Sequence, residues 1–317
     1  MKHPLCVISR VLNRFAGRAR RAVRSGRPGS IRESRLFRII KLPALVLCLL
    51  LVFSFALAEE EDDLIIEEII ENVDLDAPGD GSVSWDFPLP LEDIDPEYVR
   101  LANKHYLLDS AYVPDNLVKV PRQPKNGGIS WVSWPEAGHR LQEVAAQALC
   151  DMNAAMREVD GFKTMYLKSA YRSYSTQKTM YRNRLAKNNG RDDGWVSMPG
   201  ASDHQTGLGC DVVPSNWKDR GMNDQMMREP ECQWMAEHCH EYGFIVRYPE
   251  DKQDITEINT EPWHLRYVGV PVATYIMENG LCLEEFTFQL QEAIADFIAR
   301  GGDPAAVAAY IQTPTDE

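Results

Sequence analysis

Residues 202–211 read SDHQTGLGCD and place His204 and Asp211 seven positions apart, with two glycines between them. Glycine adopts backbone conformations that other residues avoid, so Gly207 and Gly209 allow the chain to turn tightly here. We therefore predict a loop that leads into a short strand and brings Asp211 back towards His204.

A second histidine beside a carboxylate lies further along the chain, in TEPWHLRYVG, residues 260–269. Pro262 favours an extended backbone at Glu261, so His264 is expected on a strand. Two histidines and one aspartate form a plausible three-ligand set for one Zn²⁺ ion, with a fourth position left for water. Glu261 would then be a general base that takes a proton from the activated water. From these residues alone a second interpretation stays open, in which the aspartate caps a turn and each histidine is buried and satisfied locally.

Charge is distributed very unevenly along the 317 residues. Residues 1–58 contain 12 Lys and Arg and one acidic residue, whereas the rest contains 22 Lys and Arg and 46 Asp and Glu. The apolar run LPALVLCLLLVFSFALA, residues 42–58, ends in a small-x-small pattern that is typical of a signal-peptide cleavage site. We predict a basic leader over 1–58 that contains a signal peptide or an N-terminal membrane anchor, and hence an extracytoplasmic body. The acidic remainder argues against nucleic acid as a partner, because no basic groove is available.

The remaining chain divides by composition into an acidic linker over 59–95, a globular domain over 96–280, and a C-terminal helix and tail over 281–317. Apolar periodicity predicts helices over 135–161, 175–190, 229–244 and 281–302. Short strands are predicted over 162–173, 207–215, 244–249 and 263–269. We expect Ser175 to cap the second helix and residues 303–317 to fray. This order predicts an α+β fold, a small antiparallel sheet with helices packed around it and the zinc site on the sheet.

Several motifs together resemble one known family. SAYRSYSTQ (169–177), SDHQTGLGCD (202–211), GFIVRYP (243–249) and EPWHLRYVG (261–269) are similar to motifs of the VanY-type D-alanyl-D-alanine carboxypeptidases, the zinc peptidases of peptidoglycan. The segment LANKHYLLDSAYVPDNLVKV (101–120) resembles the usual entry segment of that family. The family pattern here is S-x-H-x-x-G-x-A-x-D. This sequence departs from it only at Gly209, where Ala is usual. We expect this loss of a methyl group to loosen packing slightly.

The resemblance implies a role for each matching residue. His204, Asp211 and His264 would hold a single Zn²⁺ ion, and Glu261 would be the catalytic base. Arg172 would contact the substrate and stabilise charge on the scissile carbonyl, which suits a guanidinium. Two weaker substrate-binding candidates are Gln177 and Ser202.

These assignments predict a zinc-dependent D,D-carboxypeptidase that removes the terminal D-alanine from peptidoglycan stem peptides. Two alternatives remain open at this point. One is an L,D-carboxypeptidase that acts on tetrapeptide stems, and the other is a non-catalytic peptidoglycan-binding protein. The sequence makes no prediction of oligomeric state.

Overall fold

The computed structural model describes residues 83–122, 127–133 and 135–315. The chain divides into units 1–62 and 63–317, and all described residues belong to the second. The predicted leader and the linker up to residue 82 lie outside the described residues and stay predictions. Among the helices of the described ranges, none combines the length and the apolar character that a membrane span requires.

The strands of the described residues are short. They are β1 (Leu117–Lys119), β2 (Ser130–Trp131), β3 (Arg140–Gln142), β4 (Tyr166–Ser169), β5 (Gly209–Val213), β6 (Phe244–Tyr248) and β7 (Glu261–Tyr267). The helices are α1 (Glu143–Arg157), α2 (Tyr174–Lys187), α3 (Pro230–His238), α4 (Gln253–Thr256), α5 (Val270–Glu278), α6 (Leu283–Ala299) and α7 (Pro304–Val307).

Five strands form the main sheet, in the order β2-β4-β5-β7-β6. Every pairing in it is antiparallel except that of β2 with β4, which is parallel. The strands β1 and β3 form a separate antiparallel pair. The predicted α+β class is confirmed, and the sheet differs from the prediction only in its parallel edge and in this second small sheet.

Two apolar cores hold the helices against the sheet. Leu149 and Met156 of α1 are buried with Leu167 and Leu265 of the central strands. A second core joins β6 to α5 and α6 and includes Phe286, which is fully buried. Complete burial of such a side chain stabilises the fold by roughly 1.5–3 kcal/mol. The two cores together therefore keep the sheet in place beneath the site described below.

The predicted starts of two helices are wrong. The first helix begins at Glu143 rather than near residue 135, because Arg140–Gln142 pair with β1. The cap of α2 is Ser173, whose side chain accepts a hydrogen bond from the backbone N–H of Thr176, and not Ser175.

The C-terminal tail does not fray over residues 303–315. It forms α7 and then packs back on the entry segment, where Gln312 Oε1 accepts a hydrogen bond from the backbone N–H of Leu101 at 2.8 Å. Thr315 makes the same kind of contact with Leu107. The sequence misses this because the anchoring bonds join residues more than 200 positions apart.

The described end of the predicted acidic linker also contacts the domain. The Trp85 ring lies edge-on to Phe297 of α6, with 5.9 Å between centroids, and Phe87 lies 5.7 Å from Tyr275 of α5. The boundary predicted at residue 95 therefore does not coincide with a loss of packing.

Candidate metal and substrate site

Strand pairing brings Asp211 and His264 together. They are directly opposite each other on β5 and β7, an arrangement that places side chains of neighbouring strands within contact distance. Oδ1 of Asp211 lies 3.2 Å from Nδ1 of His264. Both side chains are almost fully buried.

His204 reaches the same point from a 3₁₀ turn, Asp203–Thr206, that precedes β5. Gly207 ends the turn with φ +69°, a left-handed conformation that suits glycine, and the chain then enters the strand. Nδ1 of His204 lies 2.7 Å from the carbonyl oxygen of Ala170, so Nδ1 carries the proton and donates it. Nε2 keeps its lone pair and lies 3.4 Å from Oδ2 of Asp211. The predicted glycine-bent loop is thus what joins the histidine and the aspartate.

The three side chains fit a divalent cation. One ligand atom from each of His204, Asp211 and His264 lies within 4.8 Å of the other two. Nε2 of His204 is buried and has no hydrogen-bond partner among the described residues. A buried, unpaired imidazole nitrogen costs free energy unless something binds it, and two imidazoles with one carboxylate are donors that zinc accepts.

A bulge in β7 places Glu261 beside this cluster. Residues three apart on a regular strand point to opposite faces of a sheet. Here β6 pairs Val246 with Leu265 and Tyr248 with Glu261, so that β7 uses four residues where β6 uses two. As a result Oε2 of Glu261 lies 3.5 Å from Nδ1 of His264.

The charges within the cluster are strongly coupled. Burial and the nearby Arg172 guanidinium lower the pKa of His204 to about 4. Burial also disfavours the cation of His264, but hydrogen bonds to Asp211 and Glu261 outweigh it and raise the pKa of His264 to about 9. Burial favours protonation of Asp211, yet the two imidazoles hold its pKa well below the usual range. A divalent cation at this point would therefore replace the proton on Nδ1 of His264.

The pKa of Glu261 is shifted in the opposite direction from that of Asp211. Burial raises the pKa of Glu261, and His264 opposes this shift only in part. A carboxylate with a raised pKa is a stronger base than an ordinary one, and its protonated form persists closer to neutral pH, so both protonation states are accessible to general acid–base chemistry.

The cluster opens into a cavity of about 370 Å³ that is also lined by Arg172, Gln177 and Ser202. Nε of Arg172 is buried without a hydrogen-bond partner, and Asp211 and Glu261 both act on its charge. Gln177 donates from Nε2 to the carbonyl oxygen of Ser197 at 2.6 Å, while its buried Oε1 has no partner within the described ranges. The structure therefore brings all seven predicted site residues together around one cavity. Their individual roles stay predictions.

Sequence reasoning missed two aromatic residues of this cavity. The Tyr248 ring lies 5.0 Å from the His264 ring, and Trp195 stacks on Trp263 at 6.3 Å with an interplanar angle of 10°. Tyr248 lies within the quoted GFIVRYP motif, which was a usable signal. Trp195 lies in a loop, and only the folded structure shows that it lines the cavity.

Gly209 corrects one expectation from the sequence. A Cβ at this position would lie 2.8 Å from Cβ of Asp203 and 2.9 Å from its carbonyl carbon. These distances are shorter than real Cβ contacts, so the missing methyl group does not loosen packing. It provides the space in which the turn that carries His204 packs directly on β5.

Comparison with known proteins gives the family. A family model described as VanY, D-alanyl-D-alanine carboxypeptidase, matches residues 138–270. The bifunctional D-Ala-D-Ala dipeptidase and D-Ala-D-Ala carboxypeptidase VanXYC of Enterococcus gallinarum is 30% identical over 200 residues, which are 63% of this chain and 98% of that protein. This chain belongs to the VanY family. The resemblance drawn from the motifs is thereby confirmed.

Two further relatives extend the comparison. The putative carboxypeptidase YodJ of Bacillus subtilis (strain 168) is 36% identical over 190 residues, which span 59% of this chain and 66% of YodJ. The solved structure of the LdcB LD-carboxypeptidase superimposes with a TM-score of 0.54 at 35% identity, and the match covers 61% of this chain and 87% of that one. Proteins similar to this chain are thus named for D-Ala-D-Ala carboxypeptidase activity and for LD-carboxypeptidase activity.

Proposed function

We propose that this VanY-family protein is a zinc-dependent D,D-carboxypeptidase that removes the terminal D-alanine from peptidoglycan stem peptides. The observation that carries the proposal is the buried set of His204, Asp211 and His264, with Glu261 beside it, in one cavity. Family membership supports the substrate class, since the E. gallinarum relative is named for D-Ala-D-Ala.

The reaction requires that water add to the carbonyl carbon between the two D-alanines and that the C–N bond then break. A Zn²⁺ ion held by His204, Asp211 and His264 would supply Lewis acidity at that carbonyl and lower the pKa of the attacking water. The Glu261 carboxylate accepts the proton that this water loses. It then donates the proton to the amide nitrogen as free D-alanine leaves and the shortened stem keeps a new carboxylate.

Arg172 and Gln177 orient the substrate in this scheme. The Arg172 guanidinium stabilises the negative charge that develops on the carbonyl oxygen, and its unpaired Nε–H is available for that contact. The unpaired Oε1 of Gln177 accepts from a substrate N–H. Ser202, which is buried at the same cavity, is a further polar contact.

An L,D-carboxypeptidase is the second candidate, because the LdcB relative that superimposes on the fold carries that name. The two activities differ in the residue before the scissile bond, which is D-alanine in a pentapeptide stem and an L-centre in a tetrapeptide stem. The same catalytic groups serve either reaction, so product analysis must decide between them.

The test uses the purified protein with matched tetrapeptide and pentapeptide stems. We expect D-alanine release from the pentapeptide, loss of release after chelation, and recovery with added zinc. Release from the tetrapeptide alone would replace D,D with L,D specificity. Binding of both peptides without release of D-alanine would instead support a non-catalytic binding protein.

The variant Glu261→Gln separates the base from the metal site. General acid–base catalysis contributes about 10²–10⁴-fold to a rate, so we expect kcat to fall by that factor while zinc still binds. Hydrolysis by Glu261→Gln at the wild-type rate contradicts the role assigned to this carboxylate.

We further propose that the protein acts outside the cytoplasmic membrane, where its proposed substrate lies. The basic leader and apolar run of residues 1–58 support this, either as a cleaved signal peptide or as an anchor. Fractionation of cells that express the full chain, with N-terminal sequencing of the product, distinguishes the two.

A further inference from the structure

Asp203 is a fully buried carboxylate that the proposed chemistry does not use. It lies between Ser202 and His204 in the 3₁₀ turn, and its side chain has no solvent exposure. A buried carboxylate is costly unless charged or polar groups surround it, so its partners indicate what it does.

Two buried arginines hold this carboxylate in place. Arg247 of β6 donates from Nε to Oδ2 at 2.8 Å, and Arg266 of β7 donates from Nη1 to Oδ1. Both guanidinium groups are completely buried. The hydroxyl of Tyr248 lies 3.4 Å from Oδ2 as well.

Each arginine also makes hydrogen bonds on the side away from Asp203. Arg247 makes a two-pronged contact with Glu284 of α6, at 2.7 and 2.6 Å. Arg266 donates from Nη2 to the carbonyl oxygens of Tyr98 and Arg100, at 2.9 and 2.8 Å. The carboxylate of Asp203 is therefore held in one position by groups that come from β6, β7, α6 and the residues just before the entry segment.

The imidazole of His264 faces the Asp203 carboxylate through Nε2, the ring nitrogen that does not contact Asp211 or Glu261. Nδ1 points to Asp211 and Glu261, whereas Nε2 is buried without a hydrogen-bond partner among the described residues. Oδ2 of Asp203 lies 3.9 Å from Nε2. A shift of about 1 Å brings this pair to hydrogen-bond distance.

We propose that Asp203 is a positioning residue for His264: its fixed carboxylate accepts a hydrogen bond from Nε2–H and so keeps the lone pair of Nδ1 directed at the metal. Carboxylates behind metal-bound histidines set ring orientation and tautomer in this way, and their loss typically costs 10–100-fold in metal affinity. The inference rests on the metal site of the proposed function. It does not depend on which stem peptide is cleaved.

The test compares the zinc affinity of Asp203→Asn with that of Glu284→Gln, by competition with a chromophoric chelator. Each substitution removes one negative charge from beside Arg247. Asp203→Asn also removes the one beside Arg266, and only Asp203 faces His264. We expect Asp203→Asn to weaken zinc binding about 10–100-fold, and Glu284→Gln to stay within about twofold of the wild type at a similar loss of thermal stability. The absorption spectrum of bound Co²⁺ should change only in Asp203→Asn. Equal losses in both variants, or wild-type affinity in Asp203→Asn, overturn the proposal.

A measurement on the wild-type protein decides the question even where Asp203→Asn does not fold. Long-range ¹⁵N–¹H correlation of the histidine rings in the zinc-loaded protein should show His264 with its proton on Nε2 and its metal on Nδ1. The opposite arrangement overturns the proposal. Because neither measurement involves a peptide, a protein that binds zinc in this way but cleaves no stem refutes the proposed activity and leaves the role of Asp203 standing.

Discussion

Replacement of Gly209 by the alanine that is usual in the VanY family should destabilise this protein. The backbone at Gly209 does not have a positive φ, so the effect comes from space alone. The added Cβ would lie 2.8 Å from Cβ and 2.9 Å from the carbonyl carbon of Asp203. Ordinary contacts of this kind are nearer 3.5–4.0 Å, so the turn at Asp203 must move by several tenths of an ångström.

Insertion of a methyl group into a well-packed interior costs about 1–3 kcal/mol. For a domain of this size that is a fall in Tm of roughly 2–12 °C. The displacement also acts on His204, the next residue along the turn, so zinc affinity should fall in Gly209→Ala along with stability.

The assay is chemical unfolding of wild type, Gly209→Ala and Gly221→Ala, each without metal. Gly221 also lacks a positive φ, and a Cβ there would meet nothing within 4 Å. Its replacement should therefore be neutral or stabilise by up to about 1 kcal/mol, because alanine reduces the freedom of the unfolded chain. If Gly209→Ala is as stable as the Gly221 variant, the contact with Asp203 does not explain the glycine and the reasoning fails.

Three further perturbations test the site and its frame. Arg172→Ala should lower kcat/KM for D-alanine release by about 10²–10³-fold, whereas zinc affinity measured by chelator competition should not change; a loss of zinc binding would assign Arg172 to the metal instead. Burial opposes ionisation of Asp203, yet the positive charges of Arg247 and Arg266 outweigh it and lower the pKa of Asp203 from 3.8 to about 2. Its contribution to stability, about 2 kcal/mol, is present above pH 4 and is lost as the pH falls through 2, and urea unfolding across that range should show at least this decline rather than a flat profile. Ser173→Ala should cost about 1 kcal/mol by removing the cap of α2, while Ser175→Ala should cost less than half of that; the reverse order in thermal unfolding would restore the cap predicted from the sequence.

The site was predictable because its residues are local signals in the chain. His204 and Asp211 share one motif, and Glu261 and His264 share another, so each pair could be identified before any fold was known. What joins the two motifs is the register of β5 against β7, which no single segment specifies. The sequence therefore predicts the members of the cluster, and only the strand pairing shows that Asp211 is directly opposite His264.

The remaining differences arise where distant contacts override local preference. Residues 140–142 fit a helix by apolar periodicity, yet they pair with β1 because that strand needs a partner. The role of Gly209 was predicted with the wrong sign because the neighbour that matters, Asp203, lies across a turn. The spacing of residues along the sequence shows neither which partner a buried side chain contacts nor how much space surrounds it.

The link between Arg247 and Glu284 sets a limit on how this protein can be recombined. The family match ends at residue 270, while the counter-charge of Arg247 comes from α6, beyond that end. A chimaera that transfers only residues 138–270 of this chain would carry the fully buried Arg247 without Glu284, the residue that balances its charge here. The unit that can be transplanted intact from this chain is therefore longer than the segment that the family model matches, and it must include position 284.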